Sequence, residues 1–431
     1  MNRLRRVLLA SALLLALGLP VVGGSPTGIA VTQFTLENGL PVYVIPVHQN
    51  PVVSTTFLFH VGLKHETADI NGVSHLLEHL TFNGTDKHTQ EQFYNAIDRV
   101  GAYLNASTGD DYTAYYLLAP VKTFGAALDL QLDMLFHATI PENKIAKEKG
   151  IVLEEIRGAK VRPSWAESRL LRPFLFPDTA YAMEVLGDEA SVEAIPRSAI
   201  VDFYNRYYAA DNAVLLVTGD ITPEQTRKIL ESRLDRMRTS GVKQERETVK
   251  LVNQPDVAFE QGKGLKTGLF TYVVDGILPS LPDAMSQDVA LDLLDSALKR
   301  ELADIDPRAG VSLDATSDYA RITVSVRLAD GATREMGEQL RERVQKIAAG
   351  LTVSPEDLAR KRGKKQMGSL ILLERPHFFD MMAAFRLGAG DTDFLAGKQV
   401  TQEQVAAVLN RIANPVVSRT IVLAPETGGD Q

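Results

Sequence analysis

The pentapeptide His75-Leu76-Leu77-Glu78-His79 constrains the local fold more than any other stretch of this chain. In a helix, side chains four residues apart lie on one face, so the two imidazoles converge on one point. Glu78 holds a carboxylate beside that point. This H-x-x-E-H spacing predicts a helix that carries two metal ligands and a general base, with Ser74 as its N-cap. The alternative is a chance match on an amphipathic helix.

Length and composition limit the class of protein. The chain has 431 residues, of which 45% are hydrophobic and 23% charged, as in a globular protein with two domains of about 200 residues each. The net charge of -8 argues against a nucleic-acid partner. Because the sequence has no Cys, any metal must be held by His and carboxylate side chains.

The N-terminus has the pattern of an export signal. Residues 1–24 combine a basic start at residues 1–6 with an apolar run over 7–22. This pattern predicts a periplasmic or secreted protein without a membrane segment after cleavage. The alternative is an uncleaved membrane anchor, which Gly18 and Pro20 disfavour because they interrupt a run already shorter than a typical span.

A polar stretch over residues 238–262 divides the chain and predicts a linker. It separates an N-terminal domain over 28–237 from a C-terminal domain over 263–427. On both sides, strand and helix patterns alternate, although residues 159–197 are expected to be irregular because they are rich in Pro and aromatic residues.

The two halves end alike, which suggests a duplication. Asn205-Arg206 precedes an apolar strand over 213–217, and Asn410-Arg411 precedes a similar strand over 419–423. The fold class expected is therefore α+β, with two homologous α/β-sandwich domains, each a mostly antiparallel sheet with helices packed on it.

A catalytic zinc site needs a third protein ligand. The best local candidates lie on a helix that begins near Pro141 and carries Glu148, Glu154 and Glu155 among apolar residues. From the residues alone, a solvated acidic face explains this pattern as well as a metal site does.

Several motifs together resemble the inverzincin metallopeptidases of the pitrilysin type, whose relatives include insulin-degrading enzyme and the mitochondrial processing peptidase. The H-x-x-E-H motif is followed by Leu80-Thr81-Phe82-Asn83-Gly84-Thr85 and, 76 residues after His79, by Glu155. The similarity also includes Asn105-Ala106-Ser107-Thr108 with Tyr115, and residues 148–155. It covers most of the first domain with specific motifs and the second domain only in general layout.

This resemblance implies that His75, His79 and Glu155 bind one Zn2+ per chain. Glu78 would accept a proton from the attacking water and return one to the leaving amine. Glu148 would orient a ligand histidine by a hydrogen bond, and its alternative is an exposed helix carboxylate.

The resemblance also implies a substrate strand. Residues 102–107, with Asn105 and Ala106 at their centre, match a strand that binds an extended peptide by main-chain pairing. The alternative is an ordinary hairpin strand.

One departure from the family pattern predicts a partner. Active members often carry an Arg and a Tyr, seven residues apart, in the second domain. Here Asp304 and Val311 stand at those positions, and Arg300 and Arg308 are weak substitutes. We expect a homologous partner subunit to supply the pair, so that two half-clamshells enclose the cleft. A homodimer of this chain is less favoured.

The function expected is an exported zinc-dependent endopeptidase that cleaves extended peptides or small unfolded proteins as the catalytic subunit of a heterodimer. Two alternatives are a non-catalytic structural or assembly subunit of the same fold and a metal-binding periplasmic protein. The general base at Glu78 disfavours both, because neither function needs it.

Overall fold

The computed structural model describes residues 21–24, 30–241, 248–281, 283–329, 332–388, 391 and 400–426. Across these residues, every helix is too short or too polar to span a bilayer.

The first half of the chain forms a seven-stranded sheet. Its strands are β1 (Val21–Gly24), β2 (Ala30–Thr35), β3 (Pro41–Pro46), β4 (Val52–Phe59), β5 (Tyr103–Thr108), β6 (Thr113–Pro120) and β7 (Ala213–Gly219). The order across the sheet is β1-β2-β3-β7-β4-β6-β5, which makes β5 an edge strand. Among these neighbours β3 and β7 run parallel, and the other pairs are antiparallel.

The second half forms a five-stranded sheet with the order β10-β11-β9-β12-β8. Its strands are β8 (Val257–Gly262), β9 (Gly268–Asp275), β10 (Gly310–Ala315), β11 (Ala320–Leu328) and β12 (Ser418–Pro425). Here β8 and β12 run parallel, and the other neighbours are antiparallel. Strand for strand, this sheet repeats the β3-β7-β4-β6-β5 part of the first sheet. The two domains therefore share one topology.

Thirteen α-helices are found among the described residues, and most of them pack on the inner face of one of the two sheets. In chain order they are α1 (Val73–Thr81), α2 (Gln90–Val100), α3 (Phe124–Phe136), α4 (Glu142–Lys160), α5 (Pro163–Leu175), α6 (Glu189–Ala194), α7 (Arg197–Tyr207), α8 (Pro223–Glu231), α9 (Ala284–Glu301), α10 (Arg334–Gly350), α11 (Pro355–Leu373), α12 (Pro376–Gly388) and α13 (Gln402–Ala413). The core of the first domain joins α1, α3, α4 and α7 to β4 and β6. In the second domain α9, α10 and α13 pack on β9 and β11 in the same way.

The two domains exchange one helix each. Helix α5 of the first domain covers the outer face of the second sheet with Ala166, Leu170, Leu171 and Phe174. Helix α12 of the second domain covers the outer face of the first sheet, where Phe379, Ala383 and Leu387 meet Tyr43, Ile45 and Leu216. Each sheet is thus buried on both faces only because the other domain supplies a helix, so neither domain has a complete core alone.

The α+β class with two similar domains is confirmed. The prediction of an irregular stretch over 159–197 is wrong, because α5 lies within it. Pro163 starts this helix in its first turn, where the missing N–H of proline costs nothing.

Two segments bear on the predicted domain limits, which otherwise stay a prediction. The stretch over 238–262 contains β8 at its end, and residues 242–247 lie outside the described residues. Of the predicted signal peptide, residues 1–20 also lie outside them, and residues 21–24 form β1.

The exchanged helix α12 carries a buried acidic side chain, that of Asp380. Asp380 is completely inaccessible to solvent, and the hydroxyls of Ser54 and Thr218 are its polar neighbours. Burial raises its pKa from 3.8 to about 7, and these hydroxyls offset only part of this shift. Between about pH 4 and about pH 7, the folded protein therefore holds a neutral carboxyl group that the unfolded chain would ionise.

We predict that Asp380→Asn removes part of the pH dependence of stability. Between about pH 4 and about pH 7 the unfolded chain loses this proton while the folded chain keeps it, so the free energy of unfolding falls as pH rises. In the wild type, the contribution of Asp380 to this fall in the free energy of unfolding should total on the order of 2–4 kcal/mol and end above about pH 7. Urea unfolding of the wild type and of the Asp380→Asn protein at about pH 5 and about pH 8 measures the free energy of unfolding of each.

Glu374→Gln is the matched control, because Glu374 lies at the end of α11 and is exposed. It should keep the pH dependence of the wild type. An Asp380→Asn protein with the same dependence as the wild type would contradict the assignment of a neutral buried carboxyl group.

Candidate metal centre

The motif helix α1 begins at a capped N-terminus. Gly72 takes φ of 95° at the N-cap, a left-handed conformation that favours glycine, so the prediction of Ser74 as the cap is wrong. The cap is supplied by Glu66, whose carboxylate accepts from the backbone N–H of Gly72 at 2.7 Å and of Ser74 at 2.9 Å. It also accepts from Asn71 Nδ2 at 2.9 Å. Burial raises the pKa of Glu66, and these hydrogen bonds oppose that rise.

The face of α1 that points away from the two histidines is packed into the core. Leu76, Leu77 and Leu80 are completely buried there. The hydroxyl of Thr81 donates to the carbonyl of Glu78 at 2.7 Å and ends the helix. The two histidines are therefore directed by a helix that is fixed along its apolar face and at both ends.

The predicted ligand residues meet in space. Nε2 of His75 lies 3.4 Å from Glu155 Oε2, and Nε2 of His79 lies 3.8 Å from Glu155 Oε1. One ligand atom from each of the three side chains lies within 4.8 Å of the others, and within the described residues no other such group is found. Helix α4 brings Glu155 to this point.

This donor set fits a zinc ion. Ligands about 2.1 Å from a tetrahedral metal are separated by roughly 3.4 Å from one another. The distances of 3.4 and 3.8 Å from Glu155 to the two imidazoles are close to that value. Two imidazole nitrogens and a carboxylate also leave a fourth position for water or substrate, as catalytic zinc sites do.

Burial differs among the acidic residues of α4. The side chain of Glu155 is 44% exposed, whereas that of Glu148 is 6% exposed and lies with Oε2 3.5 Å from His79 Nδ1. Glu148 thus faces the nitrogen of His79 that points away from Glu155, as expected of a side chain that orients this ring. Glu154 instead faces solvent and pairs with Arg157.

Burial changes the pKa of His75, the more buried of the two motif histidines. Burial lowers the pKa of His75 to about 4, and the neighbouring His79 adds to this shift. Its Nδ1 is buried and has no hydrogen-bond partner among the described residues. His75 therefore presents a neutral imidazole, the form that ligates metals.

Glu78 is held by a neighbouring strand. The hydroxyl of Thr108, the last residue of β5, donates to Glu78 Oε2 at 2.5 Å. Burial raises the pKa of Glu78, while the bond from Thr108 and the nearby His79 oppose that rise. One carboxylate oxygen of Glu78 is thus anchored by Thr108.

The predicted substrate strand lies at the edge of the first sheet. In the described part of the chain, β5 pairs with β6 on one side only. Asn105 is exposed and accepts from the N–H of Ala106 at 2.9 Å, while its own amide donates to Tyr103 at 3.1 Å. The N–H of Ala106, which an added strand would bind, is therefore available once the side chain of Asn105 turns away.

The residues considered for the second-domain pair are not arranged as a substrate clamp. Val311 is a residue of β10, and Asp304 accepts from Arg343 at 2.9 Å. Arg300 pairs with its neighbour Glu301, and the side chain of Arg308 is 84% exposed.

Sequence reasoning missed the roles of Glu66 and Thr108. Thr108 carried a usable signal, because it lies two residues after Ala106 and hence on the same face of β5. Glu66 carried none, since a loop acid six residues before a glycine has no recognisable capping pattern.

Two family models match this chain. Residues 42–189 match the insulinase model of peptidase family M16, and residues 194–364 match the M16 inactive-domain model. An uncharacterized zinc protease, YmxG of Bacillus subtilis, is 31% identical over 195 residues, which are 44% of this chain and 47% of that protein. The beta subunit of the mitochondrial processing peptidase of Rattus norvegicus is 30% identical over 194 residues, 44% of this chain and 39% of that subunit. The matched region spans about half the length of these relatives, or less.

Solved structures share the fold. A protease from Helicobacter pylori has a TM-score of 0.79 at 20% identity, with 91% of this chain and 99% of that chain covered. Pitrilysin has a TM-score of 0.69 at 17% identity, with 96% of this chain but 47% of that chain covered. With both domain models matched in order, the chain belongs to peptidase family M16.

Proposed function

We propose that this protein is a zinc-dependent endopeptidase. The observation that carries the proposal is the convergence of His75, His79 and Glu155 beside an anchored Glu78. A site built only to hold a metal needs no carboxylate beside it that is fixed by a separate strand. The names of the related zinc proteases support the same class of reaction.

In the proposed reaction His75, His79 and Glu155 hold one zinc ion. When bound, zinc polarises the scissile carbonyl and lowers the pKa of water. Glu78 takes a proton from the attacking water through its unanchored oxygen and returns a proton to the leaving amine. Glu148 keeps the ring of His79 in its ligating orientation.

The proposed substrate is an extended peptide or a small unfolded protein that adds a strand to β5. Main-chain pairing at this edge would involve Ala106 and, after rotation of its side chain, Asn105. Such binding demands an extended backbone and little sequence, so tightly folded proteins should be poor substrates.

We also propose that the protein is exported. The basic start and apolar run of the N-terminus support this, and one structure with the same fold is a periplasmic protease, PqqL, of Escherichia coli. Retention by an uncleaved N-terminus is the alternative.

The partner proposal rests on two positions of the second domain. Val311 and Asp304 occupy the positions of the expected Tyr and Arg. We propose that a homologous subunit supplies these groups, in preference to a second copy of this chain. The second candidate function is a non-catalytic subunit of the same fold, which the absence of that pair favours.

We predict that Glu78→Gln lowers peptide cleavage by about 10²- to 10⁴-fold, because the amide cannot accept the proton from water. Zinc content should stay at one ion per chain. Cleavage of an unstructured fluorogenic peptide is measured for the chain alone and with a homologous chain that lacks the H-x-x-E-H motif.

Activity only in the mixture, lost with Glu78→Gln, would support the catalytic-subunit proposal. Cleavage that survives this substitution would refute the mechanism. A protein that binds zinc but cleaves nothing in either assay would favour the non-catalytic subunit.

We predict that Glu155→Gln weakens zinc binding by at least about 100-fold, because a neutral amide replaces an anionic ligand. Competition with a chromophoric chelator measures the dissociation constant. Glu154→Gln is the matched control, since Glu154 precedes it on α4 but faces solvent. Equal zinc affinity of the two variants would show that Glu155 is not a ligand.

A further inference from the structure

Two equivalent hairpin turns, one from each domain, meet beside the metal centre. The turn Gly109–Tyr112 joins β5 to β6, and the turn Thr316–Tyr319 joins the corresponding strands β10 and β11. The backbone N–H of Ser317 donates to Asp111 Oδ2 at 2.7 Å, and the hydroxyl of Tyr319 donates to Asp110 Oδ2 at 3.0 Å. We call this junction the turn contact.

Two basic side chains of the first domain, Lys64 and Arg172, bind residues of the turn contact. Lys64 Nζ donates to Ser317 Oγ at 3.0 Å and lies 3.3 Å from Asp318 Oδ2. Arg172 of the exchanged helix α5 donates to Asp110 at 2.8 Å. Because these side chains are largely or wholly buried, removing one partner leaves a polar group without compensation. Breaking the turn contact is therefore costly.

One series of contacts links the turn contact to Glu78. Thr108, which holds the Glu78 carboxylate, is followed directly by Gly109 of the turn. Any displacement of Asp110 and Asp111 therefore moves the end of β5 and the hydroxyl that anchors the proposed base.

A second series of contacts links the turn contact to Glu66, which caps the motif helix α1. The loop Gly62–Glu66 is bonded to the turn: Leu63 N–H donates to the carbonyl of Gly109 at 3.3 Å, and Lys64 N–H donates to that of Asp110 at 2.8 Å. The approach is so close that a Cβ on Gly62 would lie 2.3 Å from the Gly109 oxygen. This loop ends in Glu66, which caps α1.

We propose that the second domain positions the metal centre through the turn contact, although it supplies no proposed ligand or base. Asp111 and Lys64 are positioning residues: through Thr108 and Glu66 they fix the carboxylate of Glu78 and the N-terminus of α1. The inference rests on the proposed function for its kinetic readout, but its structural readout does not.

The experiment compares Asp111→Ala with Glu167→Ala in the full-length protein. Both remove a buried carboxylate that joins the two domains, since Glu167 of α5 binds Arg327 of β11 with both oxygens. Among the described residues, the hydrogen bonds and ion pair of the Glu167 carboxylate go to Arg327 and not to the loop or turn described above, so this variant controls for the loss of an interdomain ion pair.

Hydrogen exchange of residues 73–81 is the structural readout. Asp111→Ala should speed exchange in this helix by about tenfold, whereas Glu167→Ala should leave it near the wild-type rate even if its Tm falls. Asp111→Asn keeps an acceptor for the N–H of Ser317 and should restore most of the protection.

The kinetic readout is a fall in kcat of about tenfold to a hundredfold for Asp111→Ala with KM within about twofold, because a misplaced base slows chemistry but not binding. If the wild type cleaves no peptide either alone or mixed with the homologous chain that lacks the H-x-x-E-H motif, the proposed function fails, yet hydrogen exchange still tests the positioning.

Equal exchange of α1 in the Asp111→Ala and Glu167→Ala proteins would overturn the inference. If Asp111→Ala fails to fold, Lys64→Met serves in its place, since it removes the ammonium group from Ser317 and leaves the turn backbone unchanged. An unchanged exchange rate in that variant would also overturn it.

Discussion

The exchange of α5 and α12 between the domains is the constraint on which the rest of the structure depends. Each sheet has an apolar outer face that its own domain leaves open, and the helix from the other domain closes it. Uncovering either face would expose these apolar side chains to water, at a cost of about 25 cal/mol per Å² of apolar surface. The two domains must therefore fold as one unit, and this fixed arrangement brings the two hairpin turns together.

The duplicated topology explains why those turns meet. Strands β5 and β10 occupy the same place in the two sheets, so the turns that follow them are related by the same operation that relates the domains. The first copy carries the H-x-x-E-H helix, whereas α9, which stands between the corresponding strands of the second copy, contains no histidine. The second copy keeps the turn, with Asp318 and Tyr319 where the first has Asp111 and Tyr112. One copy provides the proposed chemistry, and the other provides a fixed contact.

What the sequence could predict follows from how local each signal is. The spacing of His75, Glu78 and His79 is a property of one helix, so it can be recognised without knowledge of the fold. The exchange of α5 could not be recognised, because this helix packs on a sheet whose strands lie far along the chain, within residues 257–425. The cap from Glu66 and the bond from Thr108 are tertiary contacts for the same reason. From the residues alone Glu155 could not be separated from an exposed carboxylate, and its position beside the histidines required both resemblance and fold.

Charge gives a further reason for a cation at the metal centre. Three carboxylates, those of Glu78, Glu148 and Glu155, lie around the point where the two imidazoles meet, and among the described residues none of them pairs with a Lys or Arg. Glu148 is buried, Glu78 is partly buried and the side chain of Glu155 is 44% exposed, and a cation would balance the negative charge that these groups bring together. If Glu78 were free to rotate, it would compete for that cation as a ligand instead of acting as the proposed base. The hydrogen bond from Thr108 opposes this rotation, so the strand that is proposed to bind substrate also holds Glu78 in the orientation that the proposed reaction requires.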